Sequence, residues 1–284
     1  MPVIPLLERP TTSPEPTPIE ATPRKRVRPR PLPELALVLG MFLIYKVGRL
    51  VADDHVQRAF NNAARVWHFE HWMHIPSEAA VQHALLHSDF WVHVANCYYA
   101  WVHFPVSVAA LLWLYIYRPG HYIPIRRLMG VVTGIALAVH MVFPLAPPRM
   151  VRSFHMIDTA TAYGPSVYGP PSTDTLSNQY AAMPSLHVGW ALIVAIGFIV
   201  AARSRWRWLW MLYPIVTFVV VVGTANHYWL DGIVGGGLVA AVAPLPGVLR
   251  KARSRRETSD VDPVPVPREA IDDPVPAMLL NVWV

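Results

Sequence analysis

The chain has 284 residues, of which 54% are hydrophobic and only 15% charged, and its formal net charge is +6. Soluble domains carry about a quarter of their residues as charges, so this balance excludes an ordinary water-soluble enzyme and points to a membrane protein. The basic residues sit mainly in the tails and in short loops beside apolar runs, which is the distribution of topology signals and excludes a nucleic-acid-binding face.

Residues 1–32 are dense in proline and end in a basic cluster, Arg24, Lys25, Arg26, Arg28 and Arg30. They lack the apolar surface to form a core, and disorder is expected. Six apolar runs follow at about 34–52, 91–117, 125–144, 184–202, 208–224 and 228–249. Each approaches the roughly 20 residues that cross a hydrocarbon core. No A-x-A-like site follows the first, which therefore reads as an uncleaved anchor. Pro184 is expected in the first turn of the fourth. Between the first two runs, Trp67, Phe69, Trp72 and Ile75 alternate with His68, Glu70, His71 and His74. That pattern predicts amphipathic helices lying in the membrane interface. Residues 251–284 begin with the basic stretch Lys251 to Arg256, turn proline-rich, and are expected to be a second disordered tail. The single cysteine, Cys97, allows no intrachain disulfide and reads as a small packing residue.

The expected fold is all-α. Residues 33–250 form a polytopic membrane helix bundle of about six transmembrane helices, with extra interfacial helices on the outer face. Arg118, Arg126 and Arg127, then Arg203, Arg205 and Arg207, fall on the same side of a six-span arrangement as both tails. By the positive-inside rule that side is cytoplasmic, which predicts a multi-pass cell-membrane protein with both termini inside.

Three polar segments then share the extracytoplasmic side. In Pro147-Pro148-Arg149-Met150, with Arg152 beyond, the guanidinium groups suit phosphate because a planar fork binds two oxygens at once. Pro184-Ser185-Leu186-His187 opens the fourth span, where free N–H groups and the helix dipole favour an anion and Ser185 adds a hydroxyl. In His227-Tyr228-Trp229-Leu230-Asp231, the i,i+4 spacing lets Asp231 accept from one ring nitrogen of His227 and leave the other as a nucleophile. An ionisable Asp231 inside an apolar segment is itself a mark of function. Each motif alone is weak. Together they supply two histidines, a carboxylate and two arginines, the inventory for phosphoryl transfer.

These ordered segments resemble the type-2 phosphatidic acid phosphatase superfamily, and more closely its branch containing inositol phosphorylceramide synthases. The resemblance covers roughly residues 35–250. It implies that His227 is the nucleophile, that Asp231 orients it and that His187 is the general acid. It also implies that Ser185, Arg149 and Arg152 bind phosphate, with no cofactor and no metal. The phosphatase pattern places Ser-Arg seven and six residues before the nucleophile, where this chain has Val220 and Val221; its second motif reads P-S-L-H in place of P-S-G-H, and no lysine precedes Arg149 at the phosphatase spacing. These departures favour the synthase-like branch. The implied activity is a lipid phosphatase or phosphotransferase acting on a lipid phosphate or phosphodiester through a phosphohistidine.

Other membrane chemistries fit less well. A CDP-alcohol phosphotransferase needs an aspartate cluster that is absent after Asp231-Gly232, and a rhomboid-like protease needs its serine in a G-x-S setting, whereas Ser185 follows proline. The alternative from another class is a histidine-rich haem- or metal-binding electron carrier, for which His103 and His140 are the deep candidates among 13 histidines.

Overall fold

The computed structural model describes residues 29–52, 56–166 and 178–249. Most of the N-terminal tail and all of residues 251–284, both expected to be disordered, lie outside the described residues. No strand occurs among those described, in keeping with the all-α expectation. Ten α-helices follow in chain order: α1 (Pro31–Ala52), α2 (Val56–Trp72), α3 (Glu78–Leu86), α4 (Asp89–Cys97), α5 (His103–Tyr117), α6 (Pro119–Val142), α7 (Thr159–Tyr163), α8 (Leu186–Ala201), α9 (Leu212–Gly223) and α10 (Trp229–Val242). A π-turn over Tyr98–Val102 joins α4 to α5, so Asp89–Tyr117 is one helical run.

The six apolar runs of the sequence are all helical. Three helical stretches, Asp89–Tyr117, Pro119–Val142 and Arg205–Gly223, are long and apolar enough to cross a membrane; Leu186–Ala201 and Trp229–Val242 are apolar but shorter. Their outward faces are what hydrocarbon requires. Along the second run Trp101, Phe104, Val108, Leu112 and Ile116 recur at helical spacing and are all exposed, an apolar stripe that water solvates poorly.

The bundle is organised around α8, which packs on α5, α6, α9 and α10. Ala191, Ile193 and Ala195 of α8 are fully buried, and the main core joins Ile193 and Val194 to Leu114, Ile125, Leu128, Val132 and Val239. Local sequence sets the helix ends. Pro119 occupies the first position of α6, where its missing N–H is no loss. Ser185 caps α8 by accepting from the Val188 N–H at 3.4 Å. Pro184 therefore lies before the cap and outside the helix, not in its first turn as the sequence suggested, because the serine hydroxyl outcompetes proline for the start.

At one end of the bundle Arg126 and Tyr122 of α6 bind Glu34 of α1, and Arg127 donates to the Gly247 carbonyl at 3.1 Å. The other end collects the C-terminus of α6 and the N-termini of α8 and α10. Here α2 buries Ala59, Asn62, Ala63, Val66 and Glu70 while Phe69 and Trp72 remain exposed. Glu70, which the sequence grouped with the polar points of an amphipathic helix, is instead 1% exposed.

Candidate active site

The loop after α6 and the segment before α8 are held side by side by backbone bonds. Leu145 donates to the Tyr180 carbonyl at 2.7 Å and Ala182 to the Leu145 carbonyl at 3.3 Å. The start of α8 is tied in turn to α10, since the Ser185 N–H donates to the Asp231 carbonyl at 2.9 Å. The turn after α9 supplies the last wall: Ala225 adopts a left-handed conformation (φ 58°) and delivers Asn226 and His227 inward. These contacts enclose a cavity of about 200 Å³ whose lining includes Tyr99, His140, Arg149, Asn178, Gln179, His187, Asn226 and His227.

His227 is fixed by two acceptors. Its Nδ1 lies 2.9 Å from the Ala182 carbonyl and 3.2 Å from Asp231 Oδ2. Neither partner can donate if Asp231 is ionised, so Nδ1 carries the proton and Nε2 is left with its lone pair. Asp231 is fully buried, and its Oδ2 also accepts from the Tyr228 N–H at 2.9 Å. The pairing differs from the expected one in its geometry. His227 precedes α10 and Asp231 sits in the helix's first turn, so the two meet across a helix start and not along a helix face.

His187 stands in the first turn of α8, held by rings on three sides. Its centroid is 4.6 Å from Tyr99, 5.0 Å from His103 and 5.5 Å from His227. The π-turn sets Tyr99 in that stack, consistent with the frequent use of such turns at functional sites. His103 reaches Tyr213, whose hydroxyl lies 3.0 Å from its Nδ1, and His140 Nε2 donates to the Pro184 carbonyl at 3.2 Å. The two deep histidines considered for haem are thus engaged around the other two. Among the described residues, no group of three or more His, Cys, Asp or Glu is placed to hold a metal ion.

Arg149 is anchored along its length. Its Nε donates to Asn226 Oδ1 at 3.0 Å, one terminal nitrogen to Asp158 Oδ2 at 3.2 Å and the other to Gln179 Oε1 at 3.4 Å. The guanidinium lines the same cavity as His187 and His227. Of the six residues read from the sequence, His187, His227 and Arg149 line one cavity, and Asp231 backs His227. Ser185 is 1% exposed and is not among the lining residues; its hydroxyl is engaged in the α8 cap. Arg152 is exposed and also outside the lining. Sequence reading missed Tyr99, Asn178, Gln179 and Asn226. For Asn226 a signal existed, since it directly precedes the nucleophile candidate, and Asn178 and Gln179 lie shortly before Ser185; Tyr99 arrives from a distant segment.

The family model of the PAP2 superfamily matches residues 64–245. Among curated proteins, the chain is similar to the inositol phosphorylceramide synthase catalytic subunit aur1 of Schizosaccharomyces pombe, with 26% identity over 179 residues covering 56% of this chain. The match spans 40% of that relative's length. No solved structure matches. The match of the family model across every segment that lines the cavity, from within α2 to just past α10, establishes that the chain belongs to the PAP2 superfamily.

Proposed function

We infer that the chain is a membrane lipid phosphotransferase or phosphatase that works through a phosphohistidine on His227. The observation that carries this reading is the His227 ring itself. Its Nδ1 proton is committed to Ala182 and Asp231, which makes Nε2 the nucleophilic nitrogen in a cavity it shares with His187 and Arg149.

In the proposed reaction the phosphoryl group of a lipid phosphate or phosphodiester docks on Arg149, with the amides of Asn178 and Gln179 beside it. Nε2 of His227 attacks phosphorus as the bond to the leaving oxygen breaks, and His187 gives that oxygen its proton. Now neutral, His187 takes a proton from the acceptor hydroxyl, whose oxygen displaces His227 from phosphorus. Water as acceptor makes the enzyme a phosphatase and a lipid alcohol makes it a transferase. The substrate's charge is met by the anchored guanidinium of Arg149, and no metal enters the scheme. Ser185 acts in this reading by fixing where α8 begins, and Arg152 by attracting anionic headgroups to the cavity mouth.

Residues 33–250 would then form six spans, with the cavity at the extracytoplasmic face and both tails cytoplasmic, a reading that the arginine distribution supports. The similarity to an inositol phosphorylceramide synthase subunit, and Val220 and Val221 in place of Ser-Arg, favour the transferase. The test is purified protein in vesicles offered phosphatidate, an inositol-bearing phosphodiester lipid and ceramide, with products weighed by mass spectrometry. Transfer to ceramide supports the synthase-like reading and free phosphate the phosphatase. No turnover of any phosphate ester refutes both.

A further inference from the structure

Three carboxyl groups meet at the start of α10. Asp231 Oδ2 accepts from the Tyr228 N–H at 2.9 Å, Glu78 Oε1 from the Trp229 N–H at 3.4 Å and Glu70 Oε1 from the Leu230 N–H at 2.6 Å. Consecutive N–H groups of one helix start are thus each taken by a different acid. Glu70 comes from the last turn of α2 and Glu78 from the first turn of α3, and both are 1% exposed. Neither joins an ion pair with Lys or Arg among the described residues. Two buried carboxylates side by side without a cation repel each other and lose hydration, unless one proton is shared between them.

The remaining oxygens fit that sharing. Glu70 Oε2 is buried and finds no donor among the described residues, and the Glu78 carboxyl is held on the neighbouring N–H of the same helix start. A proton on Glu70 Oε2 would supply the missing bond. We propose that Glu70 and Glu78 share one proton and together clamp the first turn of α10, as positioning residues that hold Asp231 against His227.

The titratable groups facing Glu70 are Glu78 on α3 and Tyr228 and Asp231 at the start of α10. Burial first, and then Glu78, push the Glu70 carboxyl up to about 9. An unfolded chain releases this proton near the ordinary glutamate value, so the folded protein binds more protons across the window between. Its contribution to stability is complete at acid pH and falls as pH rises towards about 9.

The clamp itself can be tested without a substrate; only its effect on catalysis rests on the proposed phosphotransfer. Thermal unfolding of wild type, Glu70→Gln and Glu70→Ala is followed in detergent from about pH 5 to about pH 9. Glutamine mimics the protonated acid, so the Tm of wild type should fall relative to that of Glu70→Gln as pH rises. Parallel Tm curves would overturn the shared proton. In turnover of phosphatidate or the inositol-bearing lipid, Glu70→Ala should lower kcat by roughly tenfold to a hundredfold with little change in KM. Glu70→Gln should restore most of that loss and carry activity to higher pH. A folded Glu70→Ala with wild-type kcat, or Glu70→Gln as impaired as Glu70→Ala, would overturn positioning. A wild-type protein inert towards all these lipids would defeat the phosphotransfer reading, with the Tm curves still deciding the clamp.

Discussion

Gly235 of α10 lies so close to Ser185 that a Cβ on the glycine would stand 2.5 Å from the Ser185 carbonyl oxygen. The obstacle is backbone, which cannot swing aside as a side chain would. The same approach lets the Ser185 N–H reach the Asp231 carbonyl, so the helix starts carrying His187 and Asp231 form one rigid corner. Gly235→Ala should force them apart, lowering stability by about 1–3 kcal/mol and abolishing most turnover. Gly237→Ala, where nothing lies within 4 Å, is the matched control and should unfold at or slightly above the wild-type temperature, since alanine favours the helix.

Asp231→Asn tests orientation separately from packing. An asparagine can still accept from the Tyr228 N–H, but it can present its NH2 to His227 and leaves the positive charge on the ring uncompensated as Nε2 attacks phosphorus. Loss of a carboxylate in this role costs roughly 10³–10⁴ in rate in comparable triads. The variant should fold normally, bind substrate with a similar KM and show that loss in kcat.

Arg149→Ala should lower kcat/KM by roughly 10²–10³, the scale for removing a preorganised charge partner. Arg149→Lys should recover little of it, because a single ammonium cannot reach Asn226, Asp158 and Gln179 together. A lysine variant with near wild-type kinetics would show that only the charge matters.

Tyr99→Ala removes the ring stacked on His187 at 4.6 Å while leaving both histidines in place. The expected result is a fall in kcat of roughly tenfold or more through a loosened His187, with Tyr99→Phe close to wild type. Steady-state kinetics on the three proteins check it.

The sequence carried the His227–Asp231 pair, His187 and Arg149 because each is a local motif, and the fold brings them to one cavity. It also carried the helical character of the six apolar runs, since apolar length needs no tertiary information. What it could not carry arises from distance along the chain. Glu70 looked like a polar point on an amphipathic helix because its partners, the Trp229 and Leu230 turn and Glu78, come together only through tertiary packing. Tyr99 is set by a π-turn that no periodicity announces. Ser185 reads as a phosphate ligand from its motif, and only the structure adds that its hydroxyl caps α8 by accepting from the Val188 N–H.

The nucleophile can be identified directly. Wild-type protein is mixed with phosphate-labelled lipid, denatured in alkali during turnover, digested and mapped by mass spectrometry. The prediction is an acid-labile, alkali-stable phosphoryl group on the peptide bearing His227, diminished in His187→Ala and absent from His227→Ala. A label on any other residue, or wild-type turnover by His227→Ala, would contradict it.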